Sequence, residues 1–347
     1  MDFSEENKMK KIFLLSTIIF ISGLFSCKDV IVTEPETNLN VEDFEAAWNR
    51  INDVYPYLDF KKINWDSIYT VYLPRAEAAH GDEFYLVLRD LLAELKDGHV
   101  YYRTKGGGEV YPYYPQRHFK DRHAYSPFVV RKYFDKELRL TESKSVEYEI
   151  LPGNIGYAFL SDFHKTYLIN EFPGVLEYLK NTQGLILDIR QKRGGDYQNI
   201  EAVITRFLTG PLERNDAYTY GEKWILPPFQ PAGPFQYTNP VVVLINGSTF
   251  SAGEFTTEIL KQLPHVTAVG DTTGGGSVGG GDESLYFLPS GKSINVGFID
   301  IRRYDGLPWE WLGIPPDIRV EQTEADILAG RDKQLEYAIE MLKLFYY

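Results

Sequence analysis

The sequence predicts an α/β protein in which a helical N-terminal unit precedes a βαβ-rich core. Three observations carry that expectation. From Val41 to Leu95 apolar residues recur at three- and four-residue spacings: Phe44, Trp48, Ile51 and Tyr55 in one stretch, Phe84, Leu88, Leu91, Leu92 and Leu95 in another. From Ile155 onward short apolar runs alternate with helical spacing, the texture of βαβ units with right-handed crossovers and a largely parallel, covered sheet. Val241 to Ile245 is an unbroken run of β-branched and leucyl residues, the pattern of a strand buried on both faces.

In chain order, Lys8, Lys10 and Lys11 precede an apolar run from Ile12 to Leu24, and Leu24-Phe25-Ser26-Cys27 follows. The run falls short of the roughly 20 residues a spanning helix needs. Residues 1–27 therefore read as an export signal whose small Ser26 before Cys27 resembles a lipoprotein processing site, with Cys27 as the lipidated residue. Asp2, Glu5 and Glu6 suit the start of such a signal poorly, which makes Met9 an alternative start. Cys27 is the only cysteine, so no internal disulfide is possible. Residues 28–40 are polar and acidic, as a tether is. The expected location is extracytoplasmic, as a cell-envelope lipoprotein.

The helical unit, residues 41–98, ends at Asp97-Gly98-His99, where Gly98 is a C-terminal stop. Residues 99–152 form a connecting region: Val100 to Tyr102 extended, Gly106 to Ser126 loop, then strands at Phe128 to Tyr133 and Val146 to Leu151. The core, residues 153–347, reads as strand (Gly156 to Leu160), helix (Leu168 to Asn181), strand (Leu185 to Ile189), helix (Ile200 to Leu208), strand (Val241 to Ile245), helix (Ala252 to Leu263) and strand (Thr267 to Val269). Gly291 to Ile301 suggests late strands, and Ala325 to Leu344 one amphipathic helix. A hydrophobic content of 44% supports a substantial core. The net charge of −13 argues against nucleic acid as a partner.

Asn246-Gly-Ser-Thr-Phe-Ser251-Ala-Gly-Glu254 places Ser251 between strand and helix. A hydroxyl there can reach substrate, while unpaired N–H groups and the helix dipole favour the negative charge of acyl transfer. Ser251 reads equally well as a helix N-cap. Of six histidines, His99 has the most suggestive setting for a base that takes the serine proton. Gly194 and Gly195 break the segment after Leu185 to Arg190, and in a doubly wound sheet ligands bind at the carboxyl ends of adjacent strands. The amides of Gly194 or Gly195 and of Ala252 could thus face one oxyanion. Glu310, between two tryptophans in a proline-locked segment, is a candidate orienting acid.

Two rival motifs weaken on inspection. Gly274, Gly276 and Gly279 match a dinucleotide fingerprint, but glycines and Pro289 follow where a helix should open, so a flexible groove-lining loop is the better reading. His118 and His123 with Asp121 could pair on a metal, but no third ligand suggests itself. No cofactor or metal is expected.

The blocks Leu95-Lys-Asp97-Gly98-His99, Asp188-Ile-Arg190 with Gly194-Gly195, Ser248-Thr-Phe-Ser251-Ala-Gly-Glu254, Gly270-Asp-Thr-Thr-Gly274 and Gly313-Ile-Pro-Pro-Asp317-Ile together resemble the S41 serine peptidases, the tail-specific or C-terminal-processing proteases and their tricorn-core relatives. The resemblance runs in family order over about residues 41–344. It implies a ClpP/crotonase-like catalytic core and peptide hydrolysis through an acyl-enzyme on Ser251, with oxyanion donors at Gly194, Gly195 and Ala252. Processing proteases of the family use a lysine base just beyond the Gly-x-x-Thr block. Here that place is glycine-rich and Lys292 is the next lysine, so the tricorn-like branch fits better, with His99 as base and Glu310 as its supporting acid. In that branch a small polar residue beside the histidine connects the two. Gly98 stands there, which leaves the connection open, and Asp97 is a candidate to share the role. Residues 101–152 are too short for the peptide-binding PDZ module that many members carry. The implied partners are a peptide or unfolded protein substrate and, through Cys27, a membrane. The alternatives are a non-catalytic peptide or apolar-ligand binding protein on the same scaffold, and an esterase.

Overall fold

The computed structural model describes residues 39–345 except 162, 164–166, 192–193 and 278–280, and the side chains at 119 and 282 are not among those described. The export signal, Cys27 and the tether up to residue 38 lie outside the described residues. From Asn38 the chain forms one compact unit, and none of its described helices is long and apolar enough to cross a membrane.

A seven-stranded sheet organises the core. The central strand of its parallel set, Val241–Ile245, lies between Gly184–Asp188 and Val266–Gly270, and Ile155–Leu160 and Ile318–Arg319 extend that set on either side. Val146–Leu151 and Arg139–Leu140 add an antiparallel edge. The alternating side chains explain the unbroken apolar runs. Leu185, Leu187, Val241, Val243 and Ile245 pack into one core with helices Tyr167–Leu179, Tyr197–Ile204 and Ala252–Leu260, while Ile186, Val242 and Leu244 face a second core with helix Lys333–Leu344. The parallel strands stand in chain order across the sheet. The doubly wound reversal used as a premise above is therefore absent, and the sheet's carboxyl edge is lined by successive strand-to-helix turns.

Helices Leu39–Val54, Trp65–Ala78 and Phe84–Ala93 enclose a third core around Phe44, Ile51, Leu88 and Leu91. That core is shared with an antiparallel sheet in which Tyr101–Arg103 pairs with Ser293–Asn295, nearly 200 residues away in sequence. A small sheet of Ile299–Ile301, Ala217–Thr219 and Glu222–Lys223 completes the fold.

Three local expectations are corrected. Residues expected as a strand from Phe128 form helix Pro127–Arg131, with Pro127 in its first turn after extended Ser126; only Val129 and Val130 are buried, too short a run for periodicity to discriminate. The expected loop before it contains a helix, Gln116–Arg122, and a strand, Glu109–Val110. The C-terminal helix is two, Glu324–Leu328 and Lys333–Leu344, because Gly330 adopts a positive φ of 77° and Asp332 restarts the helix by accepting the Leu335 N–H at 2.9 Å.

Candidate active site

The chain leaves the central strand through Asn246–Phe250 and enters helix Ala252–Leu260 at Ser251, which has φ 53° and ψ −115°. A non-glycine residue in this region carries strain of about 1–3 kcal/mol and must be held there. Glu254, fully buried, holds it. One carboxylate oxygen accepts the N–H of Ser251 at 3.0 Å and of Gly276 at 2.8 Å, and the other accepts the N–H of Gly275 at 2.8 Å and the Thr273 hydroxyl. Burial pushes the Glu254 carboxyl up to about 7, against the pull of those four hydrogen bonds. Ser251 and Glu254 have the arrangement of a capping box, yet the serine hydroxyl itself makes no cap hydrogen bond.

The same contacts correct the reading of the glycine run. Gly274, Gly275 and Gly276 are buried; Glu254 clamps the last two, the Gly274 N–H donates to the Thr249 carbonyl at 2.9 Å, and a side chain on Gly276 would lie 1.9 Å from the Phe250 ring. This is a packed strut under the Ser251 turn, while residues 278–280 lie outside the described set.

Gly194 and Gly195 come beside Ser251, with φ of 138° and 144°. A Cβ on Gly194 would approach Ser251 Cβ at 3.1 Å, and one on Gly195 would collide with the Phe163 backbone at 2.2 Å, so only glycine fits. The N–H of Asp196 bonds the Phe163 carbonyl at 2.8 Å and fixes the loop. The amides of Gly194, Gly195 and Ala252 donate to no other described residue. They are available donors around Ser251.

His99, Gly194, Gly195 and Ser251 line one cleft of about 340 Å³, with Tyr111, Tyr114 and His118. The imidazole stacks on Phe250, the residue before Ser251, with ring centroids 4.6 Å apart. The side chain keeps 21% exposure, but both ring nitrogens are covered and hydrogen-bond to no described residue. Burial holds its pKa below the ordinary histidine value, with Asp97 opposing that shift and Lys61 reinforcing it. Asp97 accepts the backbone N–H of His99 at 2.7 Å and lies 3.8 Å from Nδ1. Gly98 is explained by packing: a Cβ there would meet the Phe250 ring at 2.8 Å.

Glu310 does not line this cleft. It is fully buried behind it and touches Lys61, a residue that the sequence did not single out. Lys61 Nζ donates to Glu310 at 2.7 Å, to the Tyr55 hydroxyl at 2.7 Å and to the Leu95 carbonyl at 2.8 Å. Tyr55 donates onward to Asp97 at 2.7 Å. A buried chain thus runs Glu310, Lys61, Tyr55, Asp97, His99. Burial first, then the Asp97 charge, push the Glu310 carboxyl up to about 8 while Lys61 pulls it down. Nothing local marks Lys61 apart from its neighbour Lys62, because beyond Tyr55, six residues earlier, these partners come from 34 and 249 residues away.

Asp121 spends a carboxylate oxygen on the Gly247 N–H at 2.6 Å, while His118 is buried and His123 exposed, so the considered metal pair is not assembled. Among the described residues no group of three metal-ligating side chains occurs.

The chain matches the profile of Peptidase family S41 over residues 154–320 and that of the Tricorn protease C1 domain over residues 40–93. It is 29% identical over 255 residues to Tricorn protease homolog 1 of Streptomyces coelicolor, covering 68% of this chain and 20% of that one. It is 30% identical over 197 residues to the carboxyl-terminal-processing protease of Synechocystis, covering 55% and 44%. A crystal structure of a candidate peptidase from Parabacteroides merdae superposes with a TM-score of 0.74 at 26% identity, covering 87% of this chain and 96% of that one. The chain spans less than half the length of those two curated relatives.

Proposed function

We infer, for a chain that matches the Peptidase family S41 profile over residues 154–320 and the Tricorn protease C1 domain profile over residues 40–93, that it is a serine-type peptidase in which Ser251 is the nucleophile and His99 the base. The observation that carries this reading is the position of Ser251: a strained residue at a helix N-terminus, against Gly194, in one cleft with a histidine whose ring nitrogens hydrogen-bond to no described residue.

The serine oxygen attacks the peptide carbonyl carbon while its proton passes to His99, and the amides of Gly194 or Gly195 and of Ala252 stabilise the oxyanion. His99 then protonates the amine as the C–N bond breaks, and water releases the acyl group by the reverse path. A neutral imidazole is the form this needs, and the depressed pKa of His99 favours it at pH 7. The Ser251–His99 hydrogen bond is not made in this structure, and the reading requires the two side chains to close on each other as the proton is transferred. Asp97 and Glu310 act on His99 from behind, joined through Tyr55 and Lys61.

Fluorophosphonate labelling of the purified protein tests the reading. Wild type should label, and Ser251→Ala and His99→Ala should not. Peptide turnover should fall by roughly 10⁶ in Ser251→Ala, the loss seen when the triad serine of subtilisin is removed. Failure of folded wild type to label would favour the binding-protein alternative. For location, the reading is an envelope lipoprotein anchored at Cys27, which predicts palmitate incorporation that Cys27→Ser abolishes.

A further inference from the structure

Ser251 lies between two cavities of different chemistry. One is the His99 cleft with its tyrosines. The other, of about 370 Å³, reaches Gly195, Ser251 and Ala252 and is walled by Ile200, Ala217, Leu226, Phe255, Ile301 and Trp309. Its size falls in the range of pre-formed ligand pockets, ~300–1,000 Å³. Of its two charged residues, Arg214 is held by Glu201 at 2.9 Å and by the Pro227 carbonyl at 2.6 Å, and lies over the Phe229 ring. Asp196, also in the lining, is exposed, and the apolar walls make up most of the rest. Beside the cavity Trp224, Ile225 and Leu226 are exposed, Ile225 at 97%, an apolar run that water disfavours and an apolar substrate would cover. Asn215, nine-tenths buried, lines the same cavity; its Nδ2 donates to the Arg302 carbonyl at 2.7 Å, while Oδ1 has no partner among the described residues.

Chemistry orients a peptide between the two cavities. A base that takes the serine proton returns it to the leaving amine, so the amine half must lie on the His99 side. The acyl half takes the other side, where Gly195 and Ala252 adjoin the apolar cavity. We propose that this cavity receives the side chain of the residue whose carbonyl Ser251 attacks, and that the substrates are peptides cleaved after a large apolar or aromatic residue. The amine half lies along Tyr111 and Tyr114. This assignment depends on the serine-peptidase reading above.

The test is a mixed peptide library digested by the full purified protein, with cut sites read by mass spectrometry after labelling has established an active serine. Cuts after tyrosine, tryptophan, phenylalanine and leucine should exceed cuts after glycine, aspartate and lysine by tenfold or more. Leu226→Glu, at a site 46% exposed and so tolerant of charge, should recruit lysine and arginine at the cut position; circular dichroism establishes that it is folded. Labelled wild type that cuts after small or charged residues, or a folded Leu226→Glu with an unmoved profile, would overturn the pocket assignment alone. Absence of labelling would remove the serine reading, and this assignment with it.

Discussion

Arg190 and Lys61 are both buried cations set between two carboxylates, and they use their charge in opposite ways. Arg190 grips Asp188 with two nitrogens, at 3.0 and 2.7 Å, and reaches Asp332 at 2.9 Å and Gln334 at 3.1 Å. Its rigid fork bonds both acids directly and ties the end of strand Gly184–Asp188 to the start of the C-terminal helix. Lys61 has three donors and spends only one on a carboxylate, that of Glu310; Asp97 stands 3.9 Å away and is reached through Tyr55. The first cluster is a clamp that the loop carrying Gly194 and Gly195 springs from. The second leaves Glu310 close to exchanging its proton and adjoins His99. With the same count of charges, the guanidinium gives a fixed joint and the ammonium gives a responsive one.

Breaking each cation in turn should separate the two roles most sharply. Arg190→Met strands two buried aspartates and should cost about 3–5 kcal/mol by urea unfolding at pH 7. Lys61→Met should cost less, about 1–3 kcal/mol, because Glu310 can take a proton where Asp188 and Asp332 share a lost partner. Its stronger signature is in activity: with the cation gone, the acid limb of the pH–rate profile should move to higher pH, since Lys61 helps hold the His99 pKa down. The groups facing that imidazole are Asp97 and Lys61, with His118, Tyr111 and Tyr114 across the cleft. An unmoved acid limb would make Lys61 a packing residue only.

A second expectation concerns pH and stability. The folded-state pKa values of Glu310, about 8, and Glu254, about 7, lie above the unfolded carboxyl value of 4.5. The folded form therefore binds their protons more tightly, and their contribution is fully present below pH 4.5 and lost as pH rises through 7 to 8. Urea midpoints should decline across that window, and Glu310→Gln should flatten the upper part. A smaller effect is expected for Tyr55→Phe, which removes a hydroxyl between Lys61 and Asp97: about 1–3 kcal/mol, with the acid limb displaced less than in Lys61→Met. At the far end, Lys105→Ala breaks the exposed pair with Asp82 and should leave the melting curve unchanged.

The sequence alone determined the features that depend on neighbours a few residues apart. The apolar run at Val241–Ile245, the helix that follows Ser251 and the alternation from Ile155 are written in periodicity, and the two glycines after Arg190 mark a turn that no other residue could make. Short segments escaped it, since residues 127–131 bury too little for a helix and a strand to differ in pattern, and Gly330 breaks a run whose apolar spacing continues across it. Only the tertiary structure decided which lysine is buried and which hydrogen bonds lie between Glu310 and Asp97 beside His99. It also decided that Ser251 divides an apolar cavity from an aromatic cleft. Those properties come from residues brought together over 30 to 250 positions, where burial and the balance of desolvation against pairing fix a charge's role. No local pattern encodes that balance.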